Sequence, residues 1–412
     1  MATTTPTVSH VTISKSISED PVPPTPFLPN DANLFPKWPV QLDKDAWEEW
    51  QVQAIAADGS AAIVVILFRH RLNAPAGFRV GIIASWAGDD NNNEEQKEPS
   101  VWCSHVALPH SVITSSTDNI TGVWHGSGSS PSDADDGTPP RVTFNIATDL
   151  SRALFTFDVP GKVVGTIALT LSAGYDPVLP RTEDEGRFMP AFWWLRPIPM
   201  GAATADLTFF PLEQAATAGG ISGASFPKAL RLHEDRGAFG AVERGWTTVS
   251  LPKIISHNWW LWGYAGPYVI HVIWVQGRPE DQSRRWGSGR LYRDGKLLSA
   301  PQKAIAVDDV SNDDGDTLTL DYLHDNDDNN AIRGAFDLHN VGHLVVFRSG
   351  GQTWEFRTRH VRPWYNMPTS PPGPDATGLS GFVLSVTGGL VDSGETPEMV
   401  DGPGIVGGGT LR

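Results

Sequence analysis

Val269-Ile-His-Val-Ile-Trp-Val275 is a short β-branched and aromatic run set between turn residues, and it decides the fold class. It is too short for a buried helix and rich in the side chains that fit a pleated surface, so it reads as a strand. Ala62-Ile-Val-Val-Ile-Leu-Phe68, Val142-Thr-Phe-Asn-Ile146, Leu154-Phe-Thr-Phe157 and Val163-Val-Gly-Thr-Ile-Ala-Leu-Thr-Leu171 read the same way. Arg290–Leu298 reads as a hairpin turning at Asp294-Gly295. Leu344–Phe347 and Trp354–Arg357 read as another, turning through Ser349-Gly-Gly351. No stretch holds a 3.6-residue period over three turns. With 41 Gly and 33 Pro in 412 residues, long helices are interrupted too often to form. The prediction is an all-β protein.

The small-residue stretch Ala215–Ser225 has little to bury and marks a boundary. It predicts two β domains, residues 1–222 and 223–412, each a sandwich or barrel. The Pro- and Thr-rich N-terminal segment is expected to run extended over a neighbouring surface. Polar loops at 89–96 and 126–140 are expected to face solvent.

Hydrophobic residues make up 40% of the chain, enough for a sizeable core. Lys plus Arg is 31 and Asp plus Glu is 47, a net charge of −16. Such a chain repels phosphate, which argues against a nucleic-acid reader or a binder of anionic membranes. No apolar window is long enough for a membrane span and no secretion signal opens the sequence, so the expectation is cytoplasmic. Cys103 is the single cysteine, so no intrachain disulfide or multi-Cys zinc site forms.

Motifs with a chemical meaning are few. Asp325, Asp327 and Asn329 imitate an EF-hand loop, but Asn330 replaces the glycine and Phe336 the bidentate glutamate, so a solvated loop is expected. Gly402-Pro-Gly-Ile-Val-Gly407 matches a dinucleotide fingerprint with no room for its helix. His339 and His343 sit on a strand-like segment, where spacing of four does not converge two rings. Cys103, near His105, is expected to be a small buried hydrophobe. No metal site and no cofactor are expected.

The aromatic inventory says more: 16 Trp and 17 Phe against 6 Tyr. Trp193-Trp194 and Trp259-Trp260 are adjacent pairs, with Trp262 and Tyr264 following at strand spacing. Neighbours on a strand point to opposite faces, so each pair puts one ring in a core and one elsewhere, at a cavity or a domain interface. In Trp50-Gln-Val-Gln-Ala54, Gln51 and Gln53 share the face opposite Trp50 and Val52. Two amides facing a cavity supply donors to a carbonyl without desolvating charge; the alternative is an exposed face on an edge strand.

The sequence resembles the fungal intramolecular Diels–Alderases that build decalin and related rings on polyketide–peptide hybrids. The resemblance rests on ordered blocks along almost the whole chain. They are Lys15-Ser-Ile-Ser-Glu19, Asn33-Leu-Phe-Pro-Lys37, Ala46-Trp-Glu-Glu-Trp50, Asp158-Val-Pro-Gly-Lys162, Arg196-Pro-Ile198, Gly266-Pro-Tyr268, Arg290-Leu-Tyr-Arg-Asp-Gly295 and Pro368–Phe382. It implies two lipocalin-like β domains with a polyene pocket at or near their junction. It also implies a cofactor-independent [4+2] cycloaddition and an upstream polyketide synthase–peptide synthetase. Relatives often carry acidic residues where this chain has Gln51 and Gln53, and Tyr-Tyr where it has the two Trp pairs. The expected pocket is thus less charged and more indole-rich, and both decalin and isoindolone products stay open.

On this reading Gln51 and Gln53 donate to the dienophile's carbonyl, with His257 or the Tyr365 hydroxyl as alternatives. Phe68, Trp246, Trp260, Tyr264 and Trp364 shape the wall around a small-molecule polyene. The rivals are a hydratase or isomerase of a polyene or isoprenoid, which needs a buried acid of raised pKa, and a non-catalytic carrier of hydrophobic ligands.

Overall fold

Apolar runs cut short by Gly and Pro fold into 23 strands among the described residues. The computed structural model describes residues 7–12, 25–37, 46–70, 78–88, 99–126, 139–212, 226–281, 283–301, 315–325, 331–334, 336, 338–368, 370–371, 373, 376–391 and 399–411. The expected boundary stretch 215–225, the loop 89–96, most of the loop 126–140, and Asp327, Asn329 and Asn330 lie outside them.

The first sheet contains β1 (Thr7–Thr12), β2 (Trp47–Ile55), β3 (Ala61–His70), β4 (Phe78–Trp86), β5 (Ser100–Ala107), β6 (His110–Ser115) and β7 (Asn119–His125). It continues with β8 (Arg141–Ala147), β9 (Arg152–Val159), β10 (Val163–Leu171), β11 (Arg187–Met189), β12 (Phe192–Phe209), β13 (Lys228–Leu232) and β14 (Phe239–Thr247). The second contains β15 (Ile255–Ala265), β16 (Tyr268–Gly277), β17 (Arg285–Arg293), β18 (Lys296–Ser299), β19 (Thr317–Leu323), β20 (Gly342–Ser349), β21 (Gln352–Pro368), β22 (Gly378–Leu390) and β23 (Val400–Thr410). A one-turn helix α1 (Glu183–Gly186) precedes β11, capped by the Thr182 hydroxyl accepting from the Glu185 N–H.

The 14-stranded sheet runs β1-β6-β7-β8-β9-β10-β12-β14-β2-β3-β4-β5, with β11 and β13 also on β12. The 9-stranded sheet runs β18-β17-β16-β15-β23-β22-β21-β20-β19 and is curled into a half-barrel. All pairings are antiparallel. Both predicted hairpins form, with positive φ at Asp294, Gly295, Gly350 and Gly351. The chain passes from one sheet to the other between Thr247 and Ile255, later than the expected 222/223. The reason is that β14 pairs with β12 on one side and β2 on the other, so it holds the middle of the first sheet.

Each sheet curls round a core of its own. Trp50, Val52, Leu67, Trp124 and Phe144 fill the first. Arg69 of β3 closes it by donating to Ser9 and Ser111 on strands at the other end of the sheet. Residues 25–37 pack against it, and the Trp50 indole donates to the Leu34 carbonyl. Trp259, Leu261, Trp274 and Phe356 fill the second core. A third apolar layer lies between the sheets. Val64, Ile83 and Phe239 of the first meet Trp262, Val269, Trp364 and Ile405 of the second.

The fingerprint Gly402–Gly407 lies in β23, a strand, so it has no phosphate-cradling helix. Its neighbour Gly408 has φ +153°, and a Cβ there would stand 2.0 Å from the Asn258 carbonyl oxygen. Only glycine permits that approach. No helix of the described residues is long and apolar enough to cross a membrane.

Candidate active site at the junction of the two sheets

Period-two alternation builds the junction. On β2, Trp50, Val52 and Ala54 enter the first core, so Glu49, Gln51 and Gln53 face the second sheet. On β15, Trp259 and Leu261 enter the second core, and Trp260, Trp262 and Tyr264 face the first sheet. The Trp pairs divide as expected. Trp194 joins the junction layer with Trp47 and Phe192, while Trp193 turns away and stacks on Trp246 at 5.8 Å.

Gln51, Gln53, Phe68, Trp260, Tyr264, Trp364 and Tyr365 therefore come to the junction face. Phe68 shares its face of β3 with Val64 and Ile66 and packs edge-on to Trp47 at 6.4 Å. Tyr264 meets Phe239 at 5.1 Å, and Trp260 meets Trp364 at 6.1 Å. Bulges between His360 and Arg362 and between Pro363 and Tyr365 bring Trp364 and Tyr365 to one layer despite their adjacency. Two expectations fail. Trp246 shares the parity of Val242 and Arg244 on β14, away from the junction. His257 shares the parity of Trp259, and its ring meets Ser256 Oγ at 3.0 Å.

The polar groups form one chain across the sheets. Gln51 Nε2 donates to Gln53 Oε1 at 2.6 Å and to Glu243 Oε2 at 3.4 Å. Glu243 Oε1 lies 3.1 Å from Nδ1 of His271 on β16, whose Nε2 donates to the Pro199 carbonyl at 2.7 Å. Burial pushes His271 below its ordinary value, against the contact with Glu243, which raises it. The Pro199 carbonyl is available because Pro197 and Pro199 bring β12 out of register with β14 between Leu195 and Gly201. The same bulge carries Arg196, whose guanidinium grips Ser288 of β17 through Oγ at 3.3 Å and O at 3.1 Å.

Gln53 Nε2, Trp262 Nε1 and Trp364 Nε1 are buried donors with no partner among the described residues. All three belong to the junction layer. Tyr365 accepts a hydrogen bond from the Gly408 backbone, and burial pushes its hydroxyl far up, so it keeps its own proton. Cys103 corrects an expectation. It is exposed, yet surrounding protein pushes its thiol up to about 11.

Sequence reading missed Glu49, Glu243, His271, Arg196 and Arg290. The signal for Glu49 was its parity with Gln51 and Gln53; the others gave none until their strands were paired. Burial, then repulsion from Glu243, raises Glu49 to about 8 from 4.5. The folded state thus binds its proton more tightly than the unfolded state does. This contribution to stability is full below pH 4.5 and declines as pH rises to about 8, by up to roughly 1.4 kcal/mol per unit. Glu49→Gln is expected to remove that decline, read as denaturant stability of both proteins at pH 5 and pH 8. Equal changes in the two would refute the assignment.

Among the described residues no cluster of three or more His, Cys, Asp or Glu side chains could hold a metal ion. The sequence model of the Diels-Alderase-like family matches residues 3–411. The Diels-Alderase cghA of Chaetomium globosum is 34% identical over 417 residues, covering 98% of this chain and 76% of its own. The Diels-Alderase fsa2 of Fusarium heterosporum is 32% identical, covering 96% and 97%. The crystal structure of CghA with Sch210972 superposes with a TM-score of 0.82 at 33% identity, over 98% of this chain and 99% of that one. Likeness at this identity along both sheets and the layer between them means that the chain belongs to the Diels-Alderase-like family.

Proposed function

We propose that this chain is a Diels–Alderase that closes a linear polyene polyketide–amino acid, a tetramate or pyrrolinone, by stereoselective intramolecular [4+2] cycloaddition. An upstream polyketide synthase–peptide synthetase supplies that substrate. One observation carries the reading: three buried N–H donors, on Gln53, Trp262 and Trp364, stand without acceptors beside the aromatic rings between the sheets. Each unpaired buried donor costs about 1–3 kcal/mol. A ligand with an apolar body and carbonyl oxygens recovers that cost. The names of the relatives, all Diels-Alderases, support the same chemistry.

The reaction transfers no proton; its barrier lies largely in folding a flexible chain so that diene covers dienophile. A rigid wall of indole and phenyl faces supplies that order in advance, an effect worth up to roughly 7–11 kcal/mol in favourable intramolecular cases. A donor at the carbonyl conjugated to the dienophile helps further as charge grows there in the transition state. Gln53 takes this role. Gln51 spends its amide on Gln53 and Glu243, and so aims Gln53 rather than touching substrate.

Incubation with a linear polyene tetramate should accelerate one cycloadduct of unchanged mass. Gln53→Leu should lower kcat by about 10- to 100-fold (~1.4–2.8 kcal/mol), and Gln51→Leu by less. An uncatalysed mixture from the parent protein sinks the reading. Addition of water would favour a hydratase, and binding without conversion a carrier.

A further inference from the structure

Arg196 and Arg290 are both buried at the junction, and neither guanidinium touches a carboxylate among the described residues. They are neighbours, since Arg196 grips Ser288 and Arg290 follows two residues along the same face of β17. Arg290 donates from Nη1 to the Gly289 carbonyl, and Nε of Arg196 has no partner among the described residues. The nearby acids are engaged elsewhere. Glu243 is held by His271 and Gln51, Glu185 by Arg181, and Asp316 by Ser299, Ala300 and Ser349.

Burial lowers both guanidiniums, and Arg290 pushes Arg196 down further, while Glu243 raises Arg196 and Tyr292, Glu185 and Asp316 raise Arg290. Two like charges removed from water with no carboxylate in contact are costly, unless an anion completes the site. A recess of about 590 Å³ opens directly on Arg290, between the Pro177–Arg181 loop and Leu297 of β18. Its charged lining is Arg181, Glu185 and Arg290, one positive charge in excess. His271, the cross-strand neighbour of Arg290, starts the polar chain that ends at Gln53.

We propose that Arg196 and Arg290 bind a planar two-oxygen anion at the head of the substrate, a 1,3-dicarbonyl enolate or a carboxylate. This rests on the reading above and orients it: the anionic head lies at the recess, and the polyene extends past Gln53 towards the indoles. A guanidinium fork matches two oxygens in one plane, which an ammonium does not.

The test uses the full chain and three probes read by tryptophan fluorescence titration. They are 3-acetyltetramic acid (ionised at neutral pH), its uncharged O-methyl ether, and sorbate. The parent should bind the ionised acid at least tenfold more tightly than the ether. Arg290→Gln should erase that preference, raising the Kd of the acid tenfold or more and leaving the ether unchanged; Arg290→Lys should restore part of it. Sorbate binding as tightly as the tetramic acid assigns the site to carboxylates, and weaker binding assigns it to the enolate ring. Equal affinity of the parent for acid and ether overturns the proposal, as does Arg290→Gln weakening both alike. The probes do not cyclise, so failure here is separate from failure to form a cycloadduct.

Discussion

Arg244→Met is expected to destabilise the chain by about 3–5 kcal/mol in denaturant titrations, because it strands a buried carboxylate. Arg244 and Glu48 are both fully buried and paired to each other. The guanidinium also donates to the carbonyls of Asn33 (3.2 Å), Glu49 (3.1 Å) and Gly245 (2.6 Å). It lies 4.1 Å over the Trp50 ring and 5.0 Å over Trp246. These contacts tie residues 25–37, β2 and β14 together, and so hold Glu243 opposite Gln51 on the reverse face. Adding Glu48→Met removes the stranded charge and should recover part of the loss. Recovery stays incomplete, since three carbonyls and the Lys37 N–H, which donates to Glu48 at 3.0 Å, lose partners. A loss below 1 kcal/mol for the single change would show that the pair holds nothing in place.

Gly407→Ala is expected to shift the ratio of cycloadducts tenfold or more, about 1.4 kcal/mol of differential transition-state energy. A Cβ at Gly407 would stand 2.7 Å from the Tyr365 hydroxyl oxygen and 2.8 Å from Trp260 Nε1. Neither distance is tolerable, so both rings must shift, at about 1–3 kcal/mol of overpacking. Trp260→Ala perturbs the same wall in the opposite sense, by enlarging the space. If product shape follows wall shape, both variants change the isomer ratio, and in different directions. Product analysis by chiral chromatography, with folding checked by circular dichroism, reads the outcome. Identical mixtures from both variants and the parent would remove Trp260 and Tyr365 from the wall.

Much of the site was legible because a strand's side-chain period is two. That alone put Gln51 with Gln53 and split Trp259 from Trp260. It gave no way to tell which face of β14 would carry Trp246, since that depends on β14 lying between β12 and β2. Nor could it place Arg196, which a proline-bearing bulge turns towards a serine 92 residues away. The two glutamines looked equivalent in sequence. Glu243, 192 residues from Gln51, separates their roles by occupying one amide and leaving the other's nitrogen unpaired.

By itself the sequence determined an all-β chain, the parity of its aromatic pairs and its family, because strand propensity, turn chemistry and motif order are local properties of the chain. Tertiary structure alone decided which faces meet, which donors stay unpaired and where cations gather. Those follow from antiparallel pairing between strands distant in sequence, and from burial, which changes the energy of a charge or an N–H group only after the sheets have closed over it.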